Sequence, residues 1–256
     1  MEPAIDADVI FDALERVRRT VPRVHVITNT VAQTLTANVL LALGAVPSMT
    51  IAPAEVAAFA ESADALLINL GTLDEDRRQA IPRAVHAASA AGRPCVLDPV
   101  FIDRSPRRAA YARKLLHESW SAIRVNAAEL DALGGTGSTQ AANIGFSPVL
   151  AVTGSVDRVQ DSTGRAASLA NGHPLMGRTT ATGCAGGAVL AAFLSCSDDP
   201  FASVCAGLSV FNVAGEIAAA RARGPGSLVP ELLDALYRLQ RTDIQDRLAA
   251  TLDPTE

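Results

Sequence analysis

The sequence predicts an α/β fold of three layers, in which a mostly parallel central sheet is covered by helices on both faces. Short apolar runs typical of buried strands alternate with longer amphipathic segments along most of the 256 residues. Hydrophobic residues make up 49% of the chain and aromatic residues only 4%, which suits a tightly packed, helix-rich protein. Because no repeat or long linker divides the chain, we expect a single domain over residues 1–256.

The first two helices are predicted from caps and apolar spacing. Asp6 can cap a helix over residues 6–19, whose apolar face carries Ile10, Ala13, Leu14 and Val17. Thr28 or Thr30 is expected to open the second helix, which Gly44 ends. The apolar face of this second helix is predicted to consist of Val31, Leu35, Val39 and Ala42.

The remaining elements follow from apolar runs and from turn residues. Strands are predicted at 24–28, 46–51, 64–70, 94–97, 122–125 and 149–153, with a hairpin of strands 156–160 and 166–170. Further helices are predicted from about Pro53, over 74–91, 106–119 and 188–195, after Asn126, and at 200–223 and 230–248, so that helices fill 200–248. Pro82 predicts a kink or break in the helix over 74–91. Residues 134–138 are expected to form a flexible turn.

A glycine-containing stretch, residues 178–190 (RTTATGCAGGAVL), precedes the helix predicted over 188–195. Gly183, Gly186 and Gly187 leave the backbone open there, and free N–H groups at a helix start suit a phosphate. Cys184 lies next to this start, where a thiol pKa tends to be lowered. The alternative is a helix of small residues packed on the sheet, with Cys184 as an apolar filler.

Polar residues follow several of the predicted strands, and such strand ends meet at one edge of a parallel sheet. Asp98 and Glu129 are carboxylates of the kind that hold Mg²⁺ together with waters and phosphates. Arg124 has a planar guanidinium that suits phosphate oxygens. The three together favour phosphoryl transfer. The alternatives are a turn residue at Asp98, a solvated helix position at Glu129 and a surface charge at Arg124.

Charge, hydropathy and cysteine content argue against several classes of protein. The net charge of −5 has no basic block, so we expect no nucleic-acid partner. The sequence contains no run of about 18 apolar residues, so we expect no membrane-spanning helix. The N-terminus also lacks the basic-then-apolar pattern of a signal peptide. The four cysteines form no C-x-x-C pair and are read as reduced thiols, which indicates the cytoplasm. His25, in a strand, has either a core or a site-edge role.

An ordered set of motifs resembles the hydroxyethylthiazole kinase family of the ribokinase-like superfamily. The matching segments are 25–29 (HVITN), 38–49 (NVLLALGAVPSM), 67–73 (LINLGTL), 97–100 (LDPV), 123–129 (IRVNAAE), 151–154 (AVTG), 171–176 (NGHPLM), 182–184 (TGC) and 224–227 (GPGS). They run in family order from about residue 23 to residue 240.

The resemblance implies a ribokinase-like fold and transfer of the ATP γ-phosphate to the hydroxyl of 4-methyl-5-(2-hydroxyethyl)thiazole, with Mg²⁺, in thiamine biosynthesis. By motif, it assigns contact with the thiazole to Met49 and Ala181. It assigns ATP binding to Arg124 and Thr153. Asp98 and Glu129 would organise the magnesium, and Cys184 stands where many relatives have an aspartate base. The family also implies a homotrimer with sites between subunits.

The sequence departs from the family pattern in four places. Ala181 replaces a glycine, Val125 replaces the glycine of R-G-N, and Ser155 replaces a glutamate. Residues 134–147 are too short and too rich in glycine and serine for the further helix that relatives carry there. Two alternatives therefore stay open. One is a homologue that binds nucleotide or thiazole with weakened catalysis, and the other is a ribokinase-like enzyme acting on another small alcohol, or a dehydratase of the same superfamily.

Overall fold

The structure is a computed structural model, and it describes residues 5–134 and 149–253. The described residues form a nine-stranded sheet with the order β2-β1-β3-β4-β5-β6-β7-β8-β9. The strands are β1 (Arg23–Ile27), β2 (Val46–Ser48), β3 (Ala65–Asn69), β4 (Cys95–Asp98), β5 (Ala122–Asn126), β6 (Val149–Thr153), β7 (Asp157–Gln160), β8 (Ala166–Leu169) and β9 (Ala250–Asp253). Strands β1 to β6 are parallel, and β7 to β9 extend the sheet in antiparallel register.

Helices cover both faces of the sheet, as predicted. They are α1 (Ala7–Thr20), α2 (Gln33–Leu43), α3 (Val56–Ser62), α4 (Glu75–Ala90), α5 (Pro106–Leu115), α6 (Ala127–Leu133), α7 (Thr182–Leu194), α8 (Pro200–Arg221), α9 (Pro225–Arg238) and α10 (Arg241–Arg247). The apolar clusters on the two faces use alternate strand residues: in β3, Leu67 belongs to one cluster and Leu66 to the other. This alternation produces the three layers.

The first helix matches the prediction closely. Asp6 accepts a hydrogen bond from the backbone N–H of Val9 at 2.8 Å, and Ile10, Ala13, Leu14 and Val17 are its buried residues. The second helix differs. It begins at Gln33, and its buried residues are Thr36, Val39, Leu40 and Leu43, whereas Val31 precedes it and is 64% exposed. The prediction was right in part: Val39 is buried and Leu35 and Ala42 pack on the core, whereas Val31 falls outside the helix because the helix starts later.

The bounds of several other elements also differ from the prediction. Strand β2 has three residues rather than six, and Pro53 lies in a turn three residues before α3. Helix α7 begins at Thr182, so the three glycines lie inside the helix rather than before it. The helix predicted over 230–248 is divided into α9 and α10, and β9 was not predicted at all. The turn predicted at 134–138 and the segment 134–147 lie almost wholly outside the described residues.

Helix α8 is the one described helix that is long and apolar enough by composition to cross a membrane. However, 83% of its apolar window is buried inside the protein, where it packs on α1, α7 and α9. It is a core helix of the layer formed by α1, α2, α7, α8 and α9.

Pro82 does not break α4, contrary to the prediction. A proline at this position removes the N–H that would donate to the carbonyl of Arg78. The hydroxyl of Tyr111, on α5, donates to this carbonyl at 3.4 Å instead. Since Pro82 is exposed, its ring also avoids the packed face of the helix.

This arrangement predicts that Pro82→Ala stabilises the protein. The substitution restores a helical hydrogen bond at an exposed position, which stabilises the folded state. Part of this stabilisation is lost because alanine increases the conformational entropy of the unfolded chain. We expect the free energy of unfolding to rise by about 1–2 kcal/mol, measured by denaturant unfolding with an unchanged slope. Pro225→Ala is the matched control, because Pro225 is the first residue of α9, where its missing N–H costs nothing. An equal gain in both variants would contradict this explanation.

Candidate active site

The carboxyl ends of β1 to β6 carry a row of polar residues, as the sequence predicted. Asn29 follows β1, Asn69 ends β3, Asp98 ends β4, Asn126 ends β5 and Thr153 ends β6. The N-terminus of α7 lies over the middle of this row, since α7 contacts β1, β3 and β4. Five separate strands and one helix start therefore supply the site.

Asp98 and Arg124 form a largely buried ion pair at the centre of this row, with 15% of the Arg124 side chain exposed. The carboxylate of Asp98 is buried, and its Oδ2 lies 3.5 Å from Nη1 of Arg124. The side-chain amide of Asn69 donates to the same oxygen at 3.0 Å. Burial raises the pKa of Asp98 to about 6, and the charge of Glu129 adds to the rise, while Arg124 and the amide of Asn69 oppose it. The alternatives for these two residues are therefore wrong: Asp98 is a buried strand residue rather than a turn residue, and Arg124 is a strand residue with only 15% of its side chain exposed rather than a surface charge.

Glu129 is buried, so its interpretation as a solvated helix position is wrong. Its carboxylate accepts from the backbone N–H of Asn126 at 2.9 Å and from that of Phe101 at 2.8 Å. The side chain of Asn126 accepts in return from the N–H of Glu129 at 2.9 Å. This reciprocal cap fixes the start of α6 and holds the Glu129 carboxylate near the end of β4.

The glycines of α7 lie close to the ion pair. A side chain at Gly183 or Gly186 would begin 3.6 Å from the guanidinium of Arg124. One at Gly187 would begin 3.4 Å from Oδ2 of Asp98 and 3.2 Å from Leu67. The expectation that these glycines expose backbone near a phosphate stays a prediction. The tightest of these contacts, at Gly187, shows that the glycine also lets the helix lie close to β3 and β4.

Cys184 is the third residue of α7 and is half-buried. Its sulfur accepts a hydrogen bond from the side-chain amide of Asn29 at 3.2 Å. The pKa of its thiol is raised, chiefly by burial and also by the charge of Asp98. The expectation of a lowered pKa was wrong, because the helix start is enclosed by strand ends rather than open to solvent.

Ala181 precedes α7 in a left-handed conformation, with φ of +70°. This region favours glycine, because the Cβ of any other residue is crowded there. The family pattern has glycine at this position, so the alanine adds backbone strain as well as a methyl group. The strain lies directly at the start of the helix that carries Cys184.

A cavity of about 530 Å³ opens beside Arg124, between β6, β7, α7 and α8. Its lining includes Arg124, Thr153, Ser155, Gly183 and Asn212. The Nε atom of Arg124 is buried and has no hydrogen-bond partner among the described residues. The structure thus brings Arg124 and Thr153 to one cavity, as the sequence analysis expected.

Met49 lies away from this cavity, just beyond the edge strand β2, where it is half-buried against the core. His25, on β1, is fully buried, and its Nδ1 lies 2.8 Å from the hydroxyl of Ser48. Burial lowers the pKa of His25 to about 4, so the ring is neutral and His25 is a core residue. The row of strand ends therefore runs from Met49 at one edge to Thr153 beside the cavity.

The sequence analysis missed Asn69 and Arg77. Asn69 is a polar residue inside the apolar run LLINL, and this was the available signal. Arg77, on α4, is also buried, and its Nε donates to the carbonyl of Thr28 at 2.9 Å. The acidic residue that caps α4, Asp74, accepts from its guanidinium. Arg77 thereby fixes the backbone where β1 meets Asn29.

Comparison with known proteins agrees with this geometry. Residues 14–242 match the model of the hydroxyethylthiazole kinase family. A hydroxyethylthiazole kinase from Klebsiella pneumoniae is 47% identical over 234 residues, which are 85% of this chain and 90% of the relative. A hydroxyethylthiazole kinase structure from Pyrococcus horikoshii has a TM-score of 0.90 at 36% identity and covers 96% of this chain and 100% of its own.

A more distant structure shares the fold alone. The pyridoxal kinase from Staphylococcus aureus, solved with ADP, has a TM-score of 0.58 at 15% identity and covers 77% of this chain and 88% of its own. The three-layer sheet is thus the ribokinase-like fold, as the resemblance implied. With its residues from 14 to 242 matched by the family model and its strand ends arranged in that fold, the chain belongs to the hydroxyethylthiazole kinase family.

Proposed function

We propose that this protein transfers the γ-phosphate of ATP to the hydroxyl of 4-methyl-5-(2-hydroxyethyl)thiazole, a step of thiamine biosynthesis. One observation carries the proposal: a buried carboxylate, a partly buried guanidinium and a helix N-terminus meet at the strand ends of a chain that belongs to this kinase family. Phosphoryl transfer depends on such positioning and on charge stabilisation, more than on covalent chemistry by the protein.

Arg124 and Thr153 are proposed to bind ATP in the cavity of about 530 Å³. Arg124 lines this cavity, and its planar guanidinium suits phosphate oxygens. The Thr153 hydroxyl donates to the carbonyl of Val125 at 3.2 Å, which leaves its oxygen free to accept. The ATP phosphates would then lie near the start of α7, whose first N–H groups lack helical partners.

Asp98 and Glu129 are proposed to organise Mg²⁺ and its waters. When bound with ATP, the ion would neutralise charge on the phosphates. The residues fit this role, because the charge of Glu129 raises the pKa of Asp98, and a cation between them would relieve that repulsion. No group of three or more acidic, histidine or cysteine side chains suited to a metal occurs among residues 5–134 and 149–253. Two carboxylates match a magnesium that keeps waters and phosphate ligands.

Cys184 is proposed to act near the substrate hydroxyl. In the reaction the hydroxyl oxygen bonds to the γ-phosphorus, and the bond from phosphorus to the ADP oxygen breaks with its electron pair. The hydroxyl proton passes to the sulfur of Cys184 in its thiolate form. Because the thiol pKa is raised, the thiolate is a minor species at neutral pH, so the N–H groups at the start of α7 carry much of the charge stabilisation.

Met49 and Ala181 are proposed to contact the thiazole. Met49 is half-buried at the edge-strand end of the row, and a thioether adapts readily to an aromatic ring. Ala181 is partly exposed immediately before α7. A thiazole held between the edge strand and α7 would point its hydroxyl toward Cys184.

The assembly and location are also proposals. We infer a homotrimer, supported by family membership and by exposed apolar side chains beside the edge strand β2, including Leu41 at 57% and Val46 at 44% exposure. A neighbouring subunit on this edge would close the thiazole end of the site.

The four free cysteines support a reducing compartment, the cytoplasm, and the net charge of −5 argues against nucleic acid as a partner. One domain over residues 1–256 remains our interpretation of the undivided sheet.

One observation favours a second candidate, a thiazole- or nucleotide-binding protein with weakened catalysis. Ser155 lines the cavity where relatives carry a glutamate, so one carboxylate near the phosphates is missing. Such a protein would bind ATP and the thiazole while product formation stayed at background.

The function is tested by incubating the purified protein with ATP, Mg²⁺ and the thiazole alcohol and by following the phosphorylated thiazole by mass spectrometry. We expect thiazole-dependent product and an equal amount of ADP. Arg124→Ala should weaken ATP binding at least tenfold, because a charge-assisted contact with phosphate is lost. Arg158→Ala is the matched control, since Arg158 is an exposed arginine on β7. ATP binding without product would favour the second candidate, and neither binding nor product would contradict both.

Asp98→Asn is predicted to separate function from stability. The folded-state pKa of about 6 lies above the ordinary value, so ionisation of Asp98 costs stability above that pH. At pH 7.5 the amide should therefore unfold at the same or a higher denaturant concentration, while turnover falls by roughly 100-fold. Asp131→Asn, an exposed carboxylate on α6, should change neither quantity. A clear loss of stability in Asp98→Asn would instead make the pair with Arg124 a structural ion pair.

A further inference from the structure

The side chain of Asn29 makes three hydrogen bonds where β1 ends. Its Oδ1 accepts from the backbone N–H of Ala32 at 2.9 Å. Its Nδ2 donates to Oδ1 of Asn69 at 3.1 Å and to the sulfur of Cys184 at 3.2 Å. The amide therefore joins the start of α2, strand β3 and the start of α7.

These bonds fix which end of the amide faces the sulfur. A backbone N–H can only donate, so the oxygen of Asn29 must face Ala32, and its NH₂ group must face Cys184. Asn69 is oriented in the same way. Its Oδ1 accepts from the N–H of Gly71 at 3.1 Å, so its own NH₂ group faces the carboxylate of Asp98. The donor and acceptor ends of both amides are thus fixed: Asn69 donates to Asp98, and Asn29 donates to both Asn69 and Cys184.

The position of Asn29 is held from two sides. A Cβ on Gly71 would come within 2.6 Å of the Asn29 Cβ, so only glycine leaves room for the side chain. Arg77 donates to the carbonyl of Thr28, the residue before Asn29, at 2.9 Å. Both contacts lie outside the proposed binding sites, and both have the effect of holding Asn29 against α7.

The charged groups that act on Cys184 are Asp98 and Arg124, which oppose each other. In addition to these two charges, the sulfur receives the side-chain N–H of Asn29, a neutral donor whose orientation is fixed. A sulfur that receives this N–H offers its remaining lone pairs to other donors, such as a hydroxyl.

We infer that Asn29 is a positioning residue for the phosphoryl transfer: its amide N–H holds the sulfur of Cys184 as a hydrogen-bond acceptor, oriented to take the proton of the substrate alcohol. The inference rests on the proposed function, and it adds a residue to which neither the motif assignments nor the family comparison gives a role. Asn69 and Gly71 serve the same arrangement indirectly, by orienting and accommodating Asn29.

A double-mutant cycle tests this role. We expect Asn29→Ala to lower kcat by about tenfold, the effect of one hydrogen bond to a charged group, while the KM for ATP stays within about twofold. In a Cys184→Ala background, the same substitution should cause no further loss of kcat. An unchanged kcat in Asn29→Ala, or a full additional loss without the cysteine, would overturn the inference.

Gly71→Ala provides a second variant that keeps the amide but displaces it. Like Asn29→Ala, it should lower kcat. In the Cys184→Ala background it should cause no further loss of kcat. Gly226→Ala is the matched control, because a Cβ there meets nothing within 4 Å, and it should match the wild type. A normal kcat in a folded Gly71→Ala protein would contradict the proposed role.

The third measurement does not require turnover. Alkylation of Cys184 by iodoacetamide at pH 8, followed by mass spectrometry, should be several-fold slower in Asn29→Asp, because a carboxylate beside the sulfur disfavours the thiolate. Cys196, which is half-buried at the other end of α7, serves as the internal control and should keep its rate. An unchanged rate at Cys184 would overturn the inference even if the kinase is active. Absence of turnover in the wild type would instead contradict the proposed function.

Discussion

The burial of Asp98 beside Arg124 is the constraint on which the rest of the site depends. A carboxylate taken out of water is costly unless donors and opposite charge compensate it. Here the guanidinium at 3.5 Å and the Asn69 amide at 3.0 Å supply that compensation only in part, since the pKa of Asp98 stays raised, at about 6. A Cβ at Gly187 would lie 3.2 Å from Leu67 and 3.4 Å from the carboxylate, so the glycine lets α7 lie close over both. The charge is thus not fully neutralised by the protein, which is consistent with the proposed role of Asp98 in holding a cation.

The same packing explains why Cys184 is a poor base on its own. The helix start that would lower a thiol pKa in solvent is enclosed by the ends of β1, β3 and β4. Burial and the charge of Asp98 outweigh the helix N-terminus, and the pKa rises. Under the proposed mechanism, the orientation of the sulfur by Asn29 and the N–H groups at the start of α7 would matter more than the basicity of the thiol. A loose transition state, in which the proton leaves late, suits such a site.

Alternation of strands and helices was enough to predict the layers, and strand ends were enough to predict where Asp98, Arg124 and Thr153 lie. The sequence could not reveal what depends on contacts between distant residues. Tyr111 accommodates Pro82 from another helix, and the start of α2 depends on the Asn29 side chain, which accepts from the N–H of Ala32. The tight approach of Gly187 to Leu67, on β3, could not be inferred from the sequence either. Asn69 lies in the matched segment 67–73 but received no role, because a single amide in an apolar run indicates no particular chemistry.

A crystal structure with Mg²⁺, a non-hydrolysable ATP analogue and the thiazole alcohol would test the central claim most directly. The claim is that the strand ends and the start of α7 bring the alcohol, Cys184 and the phosphates together. The account predicts a hydroxyl oxygen within about 3.5 Å of the Cys184 sulfur and of the γ-phosphorus, with Arg124 on the phosphates and the Asn29 N–H still on the sulfur. A thiazole bound away from Cys184, or phosphates that do not contact Arg124, would contradict it.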